Sequence, residues 1–276
     1  MKLRTLLAGL LLLPLAPISA AVAGTVTIKG SDTMVILGQR WAEEYMKKHP
    51  ETVIQVTGGG SGTGISALIN GTTDICQSSR AMKPPEKEKL RDRYNNPGTE
   101  IPVARDGLAV YVNATSALTE LSMDQLKGIF TGKITNWKDI GGPDAKIIPY
   151  SRENSSGTYV FFKEHVLGGA DFTARAQTMP GTAAVVNAVS KEKFGIGYGG
   201  AAYAKGIKIL KVKKDAASPS IAPDKTTVMN GTYALARPLF FYLRAKAAGD
   251  AKGFIDWVLS PEGQAIVEKV GYYPIK

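Results

Sequence analysis

The chain has 276 residues, with 34 lysines and arginines against 24 aspartates and glutamates, which gives a formal net charge of +10 at pH 7. A single cysteine excludes a disulfide framework, so a hydrophobic core must stabilise the one large domain or two moderate domains that this length predicts. The basic residues are dispersed and accompany no nucleic-acid motif, which argues against nucleic-acid binding and leaves steering of an anionic ligand or contact with an anionic surface.

The N-terminal segment has the pattern of a secretory signal peptide. Two basic residues precede the apolar run 6–18, and Ala21-Val22-Ala23 fits the small-x-small rule of signal peptidase. The alternative is an uncleaved membrane anchor, but two prolines interrupt the run and it is shorter than the ~20 apolar residues of a spanning helix. We therefore expect residues 1–23 to be removed, a periplasmic protein that begins at Gly24, and no lipid anchor, because no cysteine lies near the cleavage point.

Strand-like and helix-like segments alternate after this point. The first set is predicted as strand 25–29, helix 34–48, strand 53–56, a helix carrying residues 65–69, strand 74–76 and helix 86–94. Repeated strand–loop–helix units imply a parallel sheet covered by helices, with ligands at the carboxyl ends of its strands.

A second set of units follows. Its predicted strands are 107–112, 147–148, 195–198, 207–212, 233–235 and 239–243, and its predicted helices are 123–130, one after Gly157, 253–259 and 261–270. We interpret the whole as two α/β lobes, with residues 24–104 plus 233–276 in the first and 105–232 in the second. The chain would cross between the lobes near residues 104–106 and again near 231–232.

Three loops share one design, in which glycines and hydroxyl residues stand between a strand and a helix. They are Gly30-Ser31-Asp32-Thr33-Met34, the glycine-rich segment 58–64, and Arg152-Glu153-Asn154-Ser155-Ser156-Gly157-Thr158. A helix N-terminus offers unpaired N–H groups and a partial positive charge, and glycine lets the backbone approach a ligand closely. Together the loops predict a site that surrounds a small tetrahedral oxyanion.

The same loops carry a family resemblance. Gly30-Ser-Asp-Thr33, Gly60-Ser-Gly62, the segment Leu126-Lys-Gly-Ile-Phe-Thr-Gly-Lys-Ile-Thr-Asn-Trp137 and Arg152-x-x-x-Ser-Gly-Thr158 resemble the PstS family, the phosphate-binding subunit of bacterial phosphate ABC transporters. The resemblance spans nearly the whole chain after the signal segment. It implies an α/β, type II-like periplasmic-binding-protein fold, with each lobe a sheet covered by helices and two hinge crossings between the lobes. Such a protein closes on inorganic phosphate and delivers it to an inner-membrane permease. We expect a monomer without enzymatic activity, metal or cofactor.

The residues expected to bind phosphate lie in these loops. They are Ser31, Asp32, Thr33, Met34, Ser61, Ser79, Arg80, Arg152, Ser156, Gly157 and Thr158. Arg152 is the first candidate, because a guanidinium fork can donate two charge-assisted hydrogen bonds to one oxyanion; the alternative is an ion pair with Glu153. Residues 156–158 would donate from a helix start, which is compatible with an ordinary N-cap. The first loop would donate backbone N–H groups as far as Met34, and Ser61 would act from the glycine loop.

Selectivity for phosphate requires an acceptor as well as donors. Phosphate keeps a proton at neutral pH and sulfate does not, so one carboxylate in the site favours phosphate. The family often has an aspartate after the serine of the third strand's loop, whereas Arg80 follows Ser79 here, and Asn154 replaces an acid that is common in the family. Asp32 is the candidate acceptor instead, with a helix N-cap as the alternative. Arg80 would add a second cation or bridge the lobes.

Other functions fit parts of the sequence. The serine-rich loops suggest a secreted serine or phosphate-ester hydrolase, but the segment around Ser61 lacks the final glycine of a nucleophile elbow, and His49 and His165 have no metal-ligand spacing. Gly62-x-Gly64-x-x-Ala67 matches only a relaxed dinucleotide fingerprint, and no lysine completes a phosphate-binding P-loop. A binding protein for another tetrahedral oxyanion, such as sulfate, stays open.

Overall fold

The computed structural model describes residues 24–275, so the predicted signal segment 1–23 lies outside the described residues. The strands are β1 (Gly24–Gly30), β2 (Thr52–Thr57), β3 (Ile75–Ser78), β4 (Thr99–Asn113), β5 (Glu120–Ser122), β6 (Ile148–Arg152), β7 (Gln177–Met179), β8 (Gly195–Gly200), β9 (Ile207–Lys213) and β10 (Ala236–Leu243). The α-helices are α1 (Val35–Lys48), α2 (Ser61–Asn70), α3 (Pro84–Tyr94), α4 (Met123–Thr131), α5 (Gly157–His165), α6 (Thr182–Lys191), α7 (Lys225–Met229), α8 (Gly249–Val258) and α9 (Pro261–Val270). None of these described helices has both the length and the apolar character needed to cross a bilayer.

The elements follow the predicted order with a few differences. The predicted strand 233–235 is wrong: these residues form a turn in which the Ala236 N–H donates to the Tyr233 carbonyl at 3.1 Å. Strands β5 and β7 and helices α6 and α7 form where no element is predicted from the sequence. Strand β4 runs from Thr99 to Asn113 and is much longer than the predicted 107–112.

The sheet is mixed, so the expectation of a parallel sheet is wrong. Strand β1 is parallel to β2 and β3, but β10 is antiparallel to both β3 and β4, and β4 is antiparallel to β8 and β9. The strand order is β2-β1-β3-β10-β4-β8-β6-β7, with β9 and β5 off this path. The chain leaves the first half of the molecule along β4 and returns along the neighbouring β10, and strands that run in opposite directions must pair antiparallel.

Separate hydrophobic cores lie toward the two ends of the β4–β10 pair. In the first core the rings of Trp41 and Phe241 meet edge to face at 5.7 Å. In the second core Phe130 makes the same kind of contact with Phe162 at 4.8 Å, and Phe162 stacks on Tyr198. Such aromatic pairs contribute about 0.5–1.5 kcal/mol beyond burial of their area. The molecule is thus an α/β protein with two lobes.

Strands β4 and β10 pass from one core to the other. On β4, Ala104 packs in the first core and Leu108 in the second. On the returning segment, Leu235 still packs in the second core and Leu239 is the first to enter the other one. The second passage therefore lies a few residues later than the predicted 231–232.

Candidate anion-binding site

The three glycine and hydroxyl loops meet between the lobes. Five buried hydroxyl groups, each at most 2 % exposed, form what we call the hydroxyl cluster: Ser31, Thr33, Ser61, Ser79 and Thr158. Four of them belong to the first lobe, and Thr158 lies on α5 of the second. All five are among the residues expected from the sequence, and the fold brings them together.

The first-lobe side of the hydroxyl cluster is held by direct hydrogen bonds. Ser31 Oγ donates to Ser79 Oγ at 2.9 Å, and the Ser79 N–H donates to Ser61 Oγ at 3.1 Å. Gly30 makes the approach of β1 to β3 possible, because it has φ +144° and a Cβ there would lie 2.1 Å from the Gln77 carbonyl oxygen. Only glycine fits such a position.

Hydrogen bonds also join the two lobes at the site. Thr33 Oγ1 and Thr158 Oγ1 share a hydrogen bond of 2.8 Å. The Gly62 N–H donates to the Ser155 carbonyl at 2.8 Å, so the glycine loop touches the third loop through its backbone. Both lobes therefore contribute polar groups to one buried place.

Helices begin at the hydroxyl cluster on both sides. Helix α2 starts at Ser61, α5 starts at Gly157, and a 3₁₀ turn, Asp32–Met34, leads into α1. Their N-termini direct partial positive charge toward the cluster. Ser156 is the N-cap of α5, since its Oγ accepts the Tyr159 N–H at 3.3 Å.

Met34 does not take the position expected of a backbone donor. Its N–H donates to the Ser31 carbonyl at 3.0 Å within the 3₁₀ turn, and its side chain packs in the first core. A donor engaged in its own turn does not point at a ligand.

Arg152 is buried but is bonded to carboxylates and a hydroxyl outside the hydroxyl cluster. It donates to Asp32 Oδ2 at 2.8 Å, to both carboxylate oxygens of Glu153 at 2.8 and 3.1 Å, and to Thr182 Oγ1 at 2.9 Å. The ion pair with Glu153 was the alternative interpretation, and the contact with Asp32 extends it across the lobes. Burial raises the pKa of the Glu153 carboxyl, but the hydrogen bond and charge of Arg152 outweigh burial and hold that pKa below its ordinary value.

Asp32 has both carboxylate oxygens occupied. Oδ1 accepts the Gly59 N–H at 2.8 Å and Oδ2 accepts Arg152, while the main-chain carbonyl of Asp32 accepts the Tyr203 hydroxyl at 2.6 Å. The N-cap alternative is wrong for this residue, because Ser31 holds the cap position of the turn and makes no side-chain capping bond. Asp32 instead ties the first loop to the glycine loop and to the second lobe.

Arg80 lies outside the hydroxyl cluster. Its guanidinium forms a two-pronged ion pair with Glu86 at 2.7 and 2.8 Å and donates to the Ala81 carbonyl at 2.9 Å. All three residues belong to the first lobe, so these contacts do not form the expected bridge between the lobes, and the role of second cation stays a prediction. The pair fixes the start of α3, where Glu86 also accepts the Lys83 N–H at 2.7 Å.

A guanidinium that the sequence did not single out contacts the hydroxyl cluster. Arg237, on β10, donates to Thr158 Oγ1 at 3.0 Å and to the Ser79 carbonyl at 3.2 Å. It also donates twice to Oδ2 of Asp106, its cross-strand partner on β4, at 2.8 and 3.0 Å. A charged residue inside an apolar strand was the signal available in the sequence.

Neither histidine hydrogen-bonds to a serine of the site in the part of the chain that is described. The Nδ1 atom of His165 lies 3.0 Å from the Phe161 carbonyl oxygen, and the imidazole stacks on the Phe161 ring. His49 contacts Glu51. The hydroxyl of Ser61 is instead 3.4 Å from Ser79 Oγ. This geometry does not activate a serine nucleophile.

The fold and the two-sided site define the class of protein: a two-lobed binding protein of the periplasmic type. A family model described as "PBP superfamily domain" matches residues 15–262. The chain is 34% identical over 275 residues to the phosphate-binding protein PstS of Pseudomonas aeruginosa, covering 93% of this chain and 85% of that protein. It is 37% identical over 262 residues to PstS of Staphylococcus epidermidis, with coverage of 90% and 78%.

Solved structures agree with this relationship. A Clostridium perfringens protein assigned as a phosphate ABC transporter substrate-binding protein, solved with bound phosphate, superposes with a TM-score of 0.83 at 31% identity, covering 92% of this chain and 100% of that one. An ABC-type phosphate transport receptor from Vibrio cholerae has a TM-score of 0.72 at 30% identity, with coverage of 90% and 99%. The chain belongs to the PstS family of phosphate-binding proteins. Since these relatives are binding proteins, the prediction of a protein without enzymatic activity is confirmed.

The pairing of Arg80 with Glu86 makes a prediction about stability and pH. Burial raises the pKa of Glu86, but hydrogen bonds from Arg80 and the Lys83 N–H outweigh it and lower that pKa below its ordinary 4.5. A lowered pKa in the folded state stabilises the protein above about pH 4.5, and this contribution is lost as the pH falls through the folded value. We expect Glu86→Gln to lower the free energy of unfolding by about 1–2 kcal/mol at pH 7, with a difference from wild type that shrinks under acid.

Denaturant unfolding at several pH values measures this effect, and Glu88→Gln is the matched control. Glu88 lies on the same helix and pairs with Arg91 in an exposed ion pair, so its replacement should change stability by less than about 1 kcal/mol. Equal losses in the two variants, or a Glu86→Gln difference that persists in acid, would contradict the assigned role of the pair.

Proposed function

We propose that this protein binds inorganic phosphate in the periplasm by closure of its two lobes and delivers it to the permease of an ABC transporter. The observation that carries the proposal is the hydroxyl cluster, a buried set of polar groups to which both lobes contribute. The names of the relatives, phosphate-binding proteins and substrate-binding proteins of phosphate ABC transporters, support phosphate as the ligand.

The chemistry of the site suits a small anion. Hydroxyls that bond to one another, such as Thr33 with Thr158, can turn their protons toward an oxyanion that comes between them. The N-termini of α2 and α5 and the guanidinium of Arg237 add positive charge on both sides. Hydrogen bonds to a charged ligand are stronger in a site shielded from water, so burial favours tight binding.

Burial also requires movement. An ion reaches groups that are at most 2 % exposed only when the lobes separate. Strands β4 and β10 are the passages between the two cores, and we assign the hinge to them, near residues 104–108 and 235–239. On this basis residues 24–104 and 239–275 form one lobe, and residues 108–235 form the other.

The proposal also covers where the protein acts and which protein receives its ligand. The signal pattern of residues 1–23 supports export and cleavage before Gly24, and the absence of a cysteine near that point supports a mature protein without a lipid anchor. We propose that the protein acts as a monomer and that its partner is an inner-membrane permease that receives phosphate from the opened lobes.

Replacement of Arg237 tests the charge at the site. Arg237→Ala removes the cation that touches Thr158, so we expect phosphate affinity to fall at least about tenfold, while Arg237→Lys retains part of it. Arg40→Ala is the control, because Arg40 lies on α1 with a side chain 53% exposed. Titration calorimetry with phosphate and sulfate, on protein freed of bound anion and checked for an unchanged fold, measures the effect. Wild-type protein that binds sulfate more tightly than phosphate, or equal phosphate affinity in all variants, would contradict the proposal.

A methyl group at Gly157 tests closure separately from charge. An alanine Cβ there would lie 2.3 Å from Ser61 Oγ and 2.7 Å from Ser79 Oγ, across the interface between the lobes. Gly157 begins α5, where alanine suits the helix, so we expect the melting temperature without phosphate to stay within a few degrees of wild type. Phosphate affinity should nevertheless fall by an order of magnitude or more, because the lobes can no longer close fully. Wild-type affinity in Gly157→Ala would rule out closure at this contact.

A further inference from the structure

Asp106 has a buried carboxylate oxygen with no hydrogen-bond partner among the described residues. The residue lies on β4 and is 1 % exposed. Its Oδ2 accepts both bonds from Arg237, whereas its Oδ1 accepts none. Buried polar groups are nearly always hydrogen-bonded, and an unpaired one is destabilising, so this oxygen calls for a functional explanation.

The unpartnered oxygen lies beside the hydroxyl cluster. A Cβ placed on Gly200 would be 3.1 Å from Asp106 Oδ1 and 3.1 Å from Thr33 Cγ2, so these two atoms flank one point. On the other side of the carboxylate, the guanidinium nitrogen of Arg237 that binds Oδ2 also donates to Thr158 Oγ1. Asp106 is therefore linked to Thr158 through Arg237, and its Oδ1 lies near the methyl group of Thr33.

Neighbouring tyrosines do not use this acceptor. The hydroxyls of Tyr111, Tyr233 and Tyr272 donate to the main-chain carbonyls of Gly200, Leu108 and Thr33, respectively. Burial, followed by the negative charge of Asp106, raises the pKa of Tyr111 and of Tyr272, so both stay neutral. A negatively charged acceptor thus remains available at the edge of a cluster otherwise made of donors.

The following inference rests on the proposed function. We propose that Asp106 Oδ1 accepts a hydrogen bond from the protonated oxygen of bound phosphate, and that this bond selects phosphate over sulfate. Phosphate keeps a proton at neutral pH and can donate it, whereas sulfate would set a bare oxygen against the carboxylate. Arg237 orients the carboxylate through Oδ2 and balances its charge. Asp32 is the poorer candidate for this role, because both of its carboxylate oxygens already accept hydrogen bonds from Gly59 and Arg152.

The test compares Asp106→Asn with Asp32→Asn by titration calorimetry of phosphate and sulfate. In Asp106→Asn the amide oxygen can still accept from Arg237, and the amide nitrogen can donate to a fully deprotonated oxyanion. We expect the ratio of phosphate to sulfate affinity to fall about tenfold or more in Asp106→Asn and to stay within about threefold of wild type in Asp32→Asn. An unchanged ratio in Asp106→Asn, or an equal fall in Asp32→Asn, overturns the role of Asp106.

A crystal structure of the unaltered protein with bound phosphate decides the matter if the Asp106 variant does not fold. We expect Asp106 Oδ1 within about 3 Å of a phosphate oxygen. Phosphate that contacts Asp32 instead, or no carboxylate at all, overturns the inference. Wild-type protein that binds no phosphate overturns the proposed function as well, whereas phosphate binding with an unchanged selectivity in Asp106→Asn overturns only this inference.

Discussion

Burial of polar groups at the contact between the lobes is the constraint on which the rest of this structure depends. Each hydroxyl in the cluster must be hydrogen-bonded once it leaves water, and no single loop supplies enough partners. Thr33 of one lobe is hydrogen-bonded to Thr158 of the other, and the Gly62 N–H donates to the Ser155 carbonyl. Gly60 and Gly157 follow from the same requirement, because a side chain at either position would run into the opposite lobe and hold the lobes apart.

Two arginines serve this arrangement in different ways. Arg152 ties the lobes together through Asp32 and Glu153, and its donors stay clear of the hydroxyl cluster. Arg237 lies on β10, opposite Asp106 of β4, and its guanidinium connects Asp106 with Thr158. Arg237 therefore touches the hydroxyl cluster directly, whereas Arg152 links the two lobes through Asp32.

The parts that sequence predicted well are those with local signals. Glycine and hydroxyl residues between a strand and a helix identified the loops, and family membership agrees with the resemblance they carried. Arg237 and Asp106 belong to no local motif, since each lies within a strand, and only the antiparallel register of β4 and β10 joins them. The loop of Arg152 has the composition of an anion-binding loop, and the contact of Arg152 with Asp32, 120 residues away, has no signature in the sequence. Residues 233–235 have strand-like composition, but packing in the second core holds them in a turn.

In the proposed function, an anion enters a site that both lobes build and that closes over it. Small-angle X-ray scattering of the wild-type protein, freed of bound anion and then titrated with phosphate, measures this closure. We expect a smaller radius of gyration when phosphate is bound, because the cluster residues become buried only when the lobes meet. A radius of gyration that phosphate leaves unchanged, although phosphate binds, would contradict closure of the lobes as the binding mechanism.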